Sequence, residues 1–578
     1  MRNEYPNPQF RRKDYQILNG EWNFDFDDDD ILFKNDVPCF DSLTKKINVP
    51  FTYQSKASGI NDLSYHPIMV YEKHFSLDKN LIGKNVLLKF NAVDFEAHVY
   101  LNGFYLGKHI GGYTHFEFDV SKVIKDENNH LIVKVIDKFD PAQPRGKQYW
   151  KEEPSRCWYN SNSGIHQSVY LEAFDEDCFS FCHINSDIDN NSVTFELQSK
   201  YSLGTQARIE ISYKGQQVKK VITSLDEKQT KIIIKLQEED YIDEIHYWEI
   251  DNPCLYDVRL LLEKENKVLD EVNTYFGFRK IHVDNGYIYL NNRKLYQRLI
   301  LDQGYFYEGD ITPISVTQLK EDILIAKKMG FNGARKHQKI EDPYFYYYAD
   351  QLGFLVWAEI PSAYYFSYQE IHNISNLIFE TINQLYNHPS IITWVIFNES
   401  WGVRKILLDE NQKSFVRGMY YYAKALDNTR LVDSNDGWEQ ISETDFIAIH
   451  DYHPFGDDFI KKYSKDNIDE VQPMGRKLLG YKEKYQNHPL LLTEYGGLSC
   501  LSDVQEKFFG YHVSSDKEKL LMNLSNLQKN VYLCPFQGFC YTQLTDVKQE
   551  TNGLLDINHK PKFDIDVIRR IILNEQEN

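Results

Sequence analysis

The second half of the chain alternates short apolar runs with longer amphipathic stretches, and this alternation restricts the fold more than any other feature. The strand-like runs are residues 294–301, 331–335, 354–360, 390–397, 430–434, 446–450, 489–495 and 536–544. Residues 315–329 have a helical apolar period and precede Gly330, where a helix C-cap is expected. Eight βα units in about 300 residues predict a (β/α)8 barrel over residues 283–578.

The first half of the chain carries the signals of β-sandwiches. Residues 1–177 contain many short β-type runs separated by turn signals, such as Asn102–Gly103. Residues 178–282 continue in the same style, and about seven strands in roughly 100 residues predict an immunoglobulin-like sandwich. A chain of 578 residues is too long for a single core, so we expect these three domains.

Charge and composition restrict the partners. The net charge of −20 argues against nucleic acid, because phosphate binding needs clustered Lys and Arg. The N-terminus "MRNEYPNPQF" has no apolar signal-peptide core, and no run is long enough for a membrane span. The eight cysteines form no CxxC pair and are interpreted as reduced thiols. We therefore expect a cytoplasmic protein without a nucleic-acid or membrane partner. Assembly into a homo-oligomer is left open.

Two glutamates stand at the ends of predicted barrel strands. Glu399 follows the apolar run 390–397, and Glu494, in "LLLTEYGG", ends the seventh predicted strand. Active sites of such barrels lie at the C-terminal ends of the strands, so these carboxylates can face one another across the mouth. A pair of carboxylates is the equipment for cleaving a glycosidic bond. Spacing alone does not assign their roles, and a loop or helix-capping role for either glutamate stays open.

Metal-dependent hydrolysis is the competing chemistry. It would need convergent His and Asp ligands, and "HDYH" at residues 450–453 is the one candidate segment. His450 and His453 are three apart at a strand end, so they point to opposite sides of the strand. We therefore predict neither a metal nor another cofactor.

The chain resembles the family 2 glycoside hydrolases, the group of β-galactosidases, β-glucuronidases and β-mannosidases. The resemblance covers nearly the whole length. It rests on "LNGEW" (18–22), "LNGFYLGKHIGGYTHFEFDV" (101–120), "PRGKQYW" (144–150), "SGIHQSVYLE" (163–172), "FGFRKI", "HPSIITWVIFNES", "LLLTEYGG" and "QLTDVKQETNGLLDINHKPK" (543–562). It implies a sugar-binding-type jelly-roll sandwich over 1–177, an immunoglobulin-like sandwich over 178–282 and a catalytic TIM barrel over 283–578.

The resemblance also implies roles for three residues. Glu399 matches the general acid/base, and Glu494 matches the nucleophile that forms a covalent glycosyl-enzyme. Asn398 matches the amide that hydrogen-bonds the sugar 2-hydroxyl. The expected activity is that of an exo-acting retaining β-glycosidase on a small carbohydrate.

Further candidates for substrate contact follow the predicted strands. Arg335 resembles the arginine that orients the nucleophile, and Tyr452 stands where the family places a tyrosine close to it. The other candidates are His337, His450, Asp302, Gln303, Trp357, Trp401 and Trp438. The sandwich could also lend a loop to the pocket, but no residue of such a loop can be assigned.

Departures from the family pattern bear on the sugar. Glucuronidases read the sugar carboxylate with an Asn-x-Lys motif, whereas Asn552 is followed by Gly553 and Leu554. "LDQGY" replaces the His-rich segment of the large β-galactosidases, and His166 replaces the Trp of Ser-Gly-Ile-Trp. We expect β-galactosidase-type activity. β-Mannosidase or β-glucosidase activity, and a catalytically silent carbohydrate-binding protein, are the alternatives.

Overall fold

A computed structural model describes residues 2–35, 37–201, 204–225, 229–236, 245–504 and 508–575. Its N-terminal sandwich packs a six-stranded sheet against a four-stranded sheet around one apolar core that includes Trp22 and Phe90. The strands of this region are Tyr15–Ile17, Gly20–Phe26, Phe33–Lys34, Val37–Pro38, Lys45–Val49, Ile68–Phe75, Asn85–Phe90, Val93–Asp94, Glu96–Leu101, Phe104–Ile110, Phe116–Asp119, Asn129–Ile136, Gly164–Ile165 and Val169–Phe174.

The immunoglobulin-like sandwich pairs a five-stranded sheet with a three-stranded sheet, counted over the described residues. Its strands are Phe10–Arg12, Phe179–Asp187, Ser192–Ser199, Thr205–Tyr213, Gln216–Leu225, Thr230–Lys235, Tyr256–Lys264 and Lys267–Phe276. The first of these strands comes from the N-terminus and pairs with Lys267–Phe276. The division of the chain at residues 177 and 282 stays a prediction. The strand Phe10–Arg12 lies before residue 177 in the sequence but pairs within the second sandwich.

Arg12 joins the two sandwiches through buried ion pairs. Its guanidinium lies 2.6 Å from Glu172 of one sandwich and 3.0 Å from Asp270 of the other, and all three side chains are buried. It also donates to the carbonyl of Phe179 at 2.7 Å. Removing the partner of a buried carboxylate strongly destabilises the folded protein. This contact therefore fixes the sandwiches against each other.

Arg12→Ala is expected to lower the free energy of unfolding by about 3–5 kcal/mol, because Asp270 stays buried without its counter-charge. The matched control is Arg11→Ala, since Arg11 is exposed on the same strand. Thermal and urea unfolding of both variants measure the difference. A loss for Arg12→Ala no larger than that for Arg11→Ala would contradict the assigned role.

The third region is a parallel barrel, which confirms the predicted fold class. In chain order, barrel strands 1 to 8 are Gln297–Asp302, Gly333–Lys336, Leu355–Glu359, Ile391–Val395, Leu431–Asp433, Ile447–His450, Leu490–Gly496 and Phe536–Thr542. Neighbouring strands pair in parallel around the ring, and barrel strand 1 also pairs with barrel strand 8. Within the described residues, the ring is open only between barrel strands 5 and 6. A three-stranded antiparallel sheet of Ile281–Asp284, Tyr287–Leu290 and Arg293–Lys294 precedes the barrel. Leu498–Cys500 pairs with His512–Ser514 beside the barrel.

Helices cover the outside of the barrel, and the first of them ends at the glycine expected from the sequence. The helix after barrel strand 1 is capped by Ser315, whose side chain accepts from the Thr317 N–H in a capping box with Gln318. Gly330 follows its end with a φ of 94°, the left-handed conformation that favours glycine. The α-helices are Val316–Lys328, Pro343–Leu352, Tyr368–Leu385, Glu410–Leu426, Phe459–Lys462, Lys517–Leu533 and Ile565–Leu573; short 3-10 turns are Lys56–Ser58, Lys465–Glu470, Pro473–Gly475 and Leu501–Asp503.

None of the helices within the described ranges combines the length and apolar character needed to cross a bilayer.

Candidate active site

Two glutamates meet at the mouth of the barrel. Glu399 lies four residues beyond the end of barrel strand 4 and has a φ of 51°, a conformation uncommon for a residue with a side chain. Glu494 lies within barrel strand 7. A carboxylate oxygen of one lies within 4.8 Å of a carboxylate oxygen of the other. Retaining glycosidases place their carboxyl groups about 5–5.5 Å apart, whereas inverting enzymes need about 6.5–9.5 Å to admit a water.

Arg335 fixes the position of Glu494. It is fully buried on barrel strand 2, and its Nη1 donates to Glu494 Oε1 at 3.0 Å. Nε donates to Glu359 Oε2 at 2.8 Å, and Nη2 donates to Asn398 Oδ1 at 2.7 Å. The predicted contact between Arg335 and Glu494 is therefore present.

Asn398 is left with a free donor by this contact. Its Oδ1 is occupied by Arg335, while its Nδ2 is buried without a hydrogen-bond partner among the described residues. A buried amide donor without a partner is unfavourable unless a ligand supplies the acceptor. The amide is thus oriented to donate to a bound molecule.

His450 bridges the two glutamates. Its Nδ1 lies 3.0 Å from Glu399 Oε1, and its Nε2 lies 2.8 Å from Asp436 Oδ1 and 3.5 Å from Glu494 Oε1. Burial opposes the charge of the imidazolium, but Glu494 and Asp436 outweigh it and raise the pKa of His450 to about 10. Asp436 also lies 3.1 Å from Arg335, and both cations lower its pKa against the effect of burial.

We expect His450 to remain protonated throughout the neutral range. Because folding raises this pKa, the stabilisation is complete below the unfolded value of about 6.5 and is lost as pH rises through about 10. NMR titration of isotope-labelled histidine, with His450→Gln to assign the resonance, measures the value. A midpoint near about 6.5 would refute the bridging imidazolium.

Tyr452 completes the surroundings of Glu494. Its hydroxyl donates to Glu494 Oε2 at 2.5 Å and lies 3.2 Å from the hydroxyl of Thr542. Its ring stacks on Tyr511 with centroids 3.4 Å apart. Both oxygens of Glu494 therefore accept from fixed donors. Tyr452 lies close to Glu494, where the family resemblance placed it.

His337 and two tryptophans also lie at the mouth. His337 Nδ1 lies 2.9 Å from Glu359 Oε2, and burial together with Arg335 lowers the pKa of His337 well below its usual range. Trp401 belongs to an aromatic cluster with Trp158, at a centroid distance of 5.5 Å. The ring of Trp438 lies 5.5 Å from His450, and its indole N–H is buried without a partner in the described part of the chain.

Three further predicted contact residues are buried, and they differ in whether their polar groups are engaged. Trp357 is fully buried inside the barrel, where its indole N–H donates to Gln297 at 2.8 Å and its ring packs against Phe446. The predicted sugar contact of Trp357 does not fit this placement, because no face of the ring is free. Asp302 accepts from Lys336 at 2.7 Å. Gln303 is buried, and its Oε1 has no partner among the described residues.

A segment of the N-terminal sandwich reaches the mouth, and no residue of it was assigned from the sequence. The N–H groups of Arg145 and Gly146 donate to the carbonyl of Ser362 at 3.0 and 3.1 Å. The ammonium of Lys147 then lies 5.6 Å from the centre of the Trp401 ring. "PRGKQYW" contains this lysine, but its sequence carries no signal for a site because the contact is made across domains.

Metal binding can be judged from the ligand atoms. The described residues contain two groups of three side chains whose ligand atoms converge. One is Glu399, His450 and Glu494 at the mouth, and the other is Glu72, His74 and His130 on the N-terminal sandwich. Glu494 and Asp436 raise the pKa of His450, so a proton competes with a metal for its nitrogens at the mouth. The expectation that no metal is required stays a prediction.

Solved structures share the whole architecture. A GH2 beta-galacturonidase from Eisenbergiella tayi bound to galacturonate superposes with a TM-score of 0.77 at 19% identity, covering 100% of both chains. A beta-glucuronidase from Ruminococcus gnavus gives 0.77 at 20% identity, covering 99% of this chain and 100% of that one. At this identity the likeness establishes the fold.

The sequence relatives include proteins named beta-galactosidase and proteins named beta-glucuronidase. A beta-galactosidase of Thermoanaerobacterium thermosulfurigenes is 28% identical over 495 residues, which are 83% of this chain and 64% of that protein. A beta-glucuronidase of Bacteroides fragilis is 25% identical over 460 residues, which are 72% of this chain and 60% of that protein. The chain thus spans about three-fifths of the length of these two relatives.

Family models match nearly the whole chain in the expected order. The model "Glycosyl hydrolases family 2, sugar binding domain" matches residues 15–174, "Glycosyl hydrolases family 2" matches 180–279, and "Glycosyl hydrolases family 2, TIM barrel domain" matches 281–507. Together with the relatives and the shared fold, these matches show that the chain belongs to glycoside hydrolase family 2.

Proposed function

We propose that the protein is an exo-acting retaining β-glycosidase that works through a covalent glycosyl-enzyme. The observation that carries the proposal is the pair of carboxylates, with oxygens of Glu399 and Glu494 within 4.8 Å of each other. This separation favours direct attack by a carboxylate over attack by an interposed water.

The surroundings of the two carboxylates support different roles. Glu494 accepts from Arg335 and Tyr452, so it is held by two donors as an oriented nucleophile. Glu399 contacts His450 through Oε1 and is more exposed, with 17% of its side chain accessible against 6% for Glu494. Glu399 is therefore better placed to exchange a proton with the leaving group and then with water.

The reaction then proceeds in two balanced steps. An oxygen of Glu494 attacks the anomeric carbon while Glu399 gives its proton to the glycosidic oxygen, which leaves as the alcohol. In the second step Glu399 removes a proton from water, the hydroxyl attacks the anomeric carbon, and the bond to Glu494 breaks. Asn398 Nδ2 donates to the sugar 2-hydroxyl in both transition states.

For the sugar, we propose a β-galactoside. The relative with the β-galactosidase name supports this choice, and so does the segment at Asn552, where Gly553 and Leu554 stand in place of the x-Lys of the glucuronidase motif. β-Mannosides and β-glucosides are the alternatives within the same chemistry. A silent carbohydrate-binding protein would not need both glutamates held as they are.

A panel of p-nitrophenyl β-glycosides tests the activity. It contains the galactoside, glucoside, mannoside, glucuronide, fucoside and arabinoside, each assayed with the wild type and with Glu494→Ala. We expect release of p-nitrophenol from the galactoside by the wild type and none by the variant. Equal rates for both proteins would exclude the proposed chemistry, and faster cleavage of another glycoside would replace galactose as the sugar.

A further inference from the structure

Lys147 is a nearly buried residue whose ammonium has no protein hydrogen-bond acceptor among the described residues. Only 5% of the residue is exposed, and neither a hydrogen bond nor an ion pair is made by its side chain in the part of the chain that the structure describes. Its contacts are the faces of Trp401 at 5.6 Å and Tyr159 at 5.7 Å. A nearly buried ammonium without a protein acceptor gains from a ligand that supplies one.

Glu550 is a second buried charge at the same place. It is 2% exposed, and its Oε2 accepts from the hydroxyl of Tyr159. Lys147 and Glu550 influence each other, because each opposes the effect of burial on the pKa of the other. Glu399 and Glu494 also raise the pKa of both groups, so these four groups lie within electrostatic reach of one another. Among the described residues, however, no ion pair closes between Lys147 and Glu550.

The position of Lys147 is built into the fold. The preceding Gly146 has a φ of 61°, and a Cβ on it would meet the carbonyl oxygen of Gln338 at 2.1 Å. Its N–H donates to Ser362 of the barrel at 3.1 Å. The sandwich therefore holds the lysine against the barrel at a fixed place, with its ammonium beside the rings of Trp401 and Tyr159.

The group that fits between Lys147 and Glu550 must accept from one and donate to the other. A sugar hydroxyl does both, because its oxygen accepts and its hydrogen is donated. A sugar carboxylate can accept from Lys147, but when ionised it has no hydrogen for Glu550 and is repelled by its charge. The pair thus discriminates between neutral and acidic sugars.

We propose that Lys147 and Glu550 are specificity-determining residues that hydrogen-bond the hydroxyl groups of a neutral terminal sugar and exclude a sugar acid. The proposal rests on the glycosidase activity proposed above and names the class of sugar that the site selects. It assigns a function in specificity to the sandwich segment that carries Lys147.

The test compares Lys147→Met and Glu550→Gln with the wild type on the preferred neutral aryl β-glycoside, on its monodeoxy analogues, and on the β-glucuronide and β-galacturonide. Lys147→Met is expected to lower kcat/KM about 10- to 100-fold on the parent sugar, the effect of losing a hydrogen bond to a charged group. On the analogue that lacks the contacted hydroxyl, the same substitution should have little effect. Glu550→Gln should raise the ratio of uronide to neutral-sugar kcat/KM at least about 10-fold.

The control is Lys151→Met, because Lys151 lies on the same segment and is exposed. It should leave kcat/KM unchanged on every substrate. Equal losses for Lys147→Met on the parent sugar and on all analogues would indicate a structural role and overturn the inference. A wild type that prefers a uronide, and loses it in Lys147→Met, would overturn it in favour of carboxylate recognition. A wild type inactive on the whole panel would instead overturn the proposed function, and the inference with it.

Discussion

Glu494→Ala is expected to hydrolyse the preferred aryl β-glycoside at least about 10⁴-fold more slowly than the wild type, because removal of a nucleophile abolishes the covalent route. The small side chain leaves a cavity below the sugar, beside the donors of Arg335 and Tyr452 that now lack an acceptor. Added azide should enter this cavity, attack the anomeric carbon directly and restore part of the rate. The product expected from this inversion is the α-glycosyl azide, identified by NMR.

The matched control is Glu359→Gln. Glu359 also binds Arg335, at 2.8 Å, but it contacts His337 at the side of the site and is fully buried. The Glu359→Gln variant should lose activity because Arg335 is misplaced, and azide should not restore its rate. Formation of the β-glycosyl azide by Glu494→Ala, or rescue of Glu359→Gln and not of Glu494→Ala, would contradict the assignment of the nucleophile.

Glu399→Ala is expected to lose about 10²- to 10⁴-fold on glycosides with poor leaving groups, because the proton donor is gone. On an activated aryl glycoside such as the 2,4-dinitrophenyl derivative, the first step needs no proton and should be nearly unaffected. The glycosyl-enzyme then accumulates because no base activates water. Stopped-flow measurement should show a burst of phenol, and azide should give the β-glycosyl azide.

The control for Glu399→Ala is the neighbouring Ser400→Ala. The Ser400 hydroxyl donates to Glu439 at 2.7 Å and accepts from Asn435 at 3.1 Å, so its hydrogen-bond partners are neither Glu399 nor Glu494. Its loss should lower rates on good and poor leaving groups alike. If Glu399→Ala also showed a uniform loss across leaving groups, without a burst, Glu399 would be a structural residue.

The barrel and its two glutamates could be predicted from the sequence because their signals are local. Glu399 lies two residues beyond the apolar run 390–397, Glu494 is the last residue but one of the run 489–495, and a parallel barrel places all such ends at one face. Residues 391–395 and 490–496 form the observed strands, within two residues of the predicted bounds. The roles of Glu399 and Glu494 came from the family resemblance, since strand position alone does not distinguish an acid from a nucleophile.

Depth inside the barrel is the first thing that the sequence could not supply. Trp357 and Glu359 are two apart on barrel strand 3, so both point into the barrel. Glu359 belongs to the upper layer and contacts Arg335, whereas Trp357 lies one layer below and packs in the interior with Phe446. Alternation along a strand gives the side but not the layer, and the predicted sugar contact of Trp357 was misplaced for this reason.

Contacts between domains are the second feature that could not be predicted from the sequence. Lys147 belongs to a sandwich loop, Asp436 follows barrel strand 5, and Glu550 follows barrel strand 8, so hundreds of residues separate partners that share one site. A weak signal existed for Asp436, because polar residues crowd the end of the run 430–434. No local pattern marks Lys147, whose position depends on the docking of Gly146 against Ser362.

The most direct test of the account is to trap the glycosyl-enzyme. The wild type is incubated with 2,4-dinitrophenyl 2-deoxy-2-fluoro-β-galactoside, or the corresponding derivative of the sugar that the panel selects, and then analysed by intact mass and peptide mapping. We expect one sugar added per chain, attached to the peptide that carries Glu494 and absent from Glu494→Ala. A label on another residue, or an unlabelled enzyme that releases a product of inverted configuration, would contradict it.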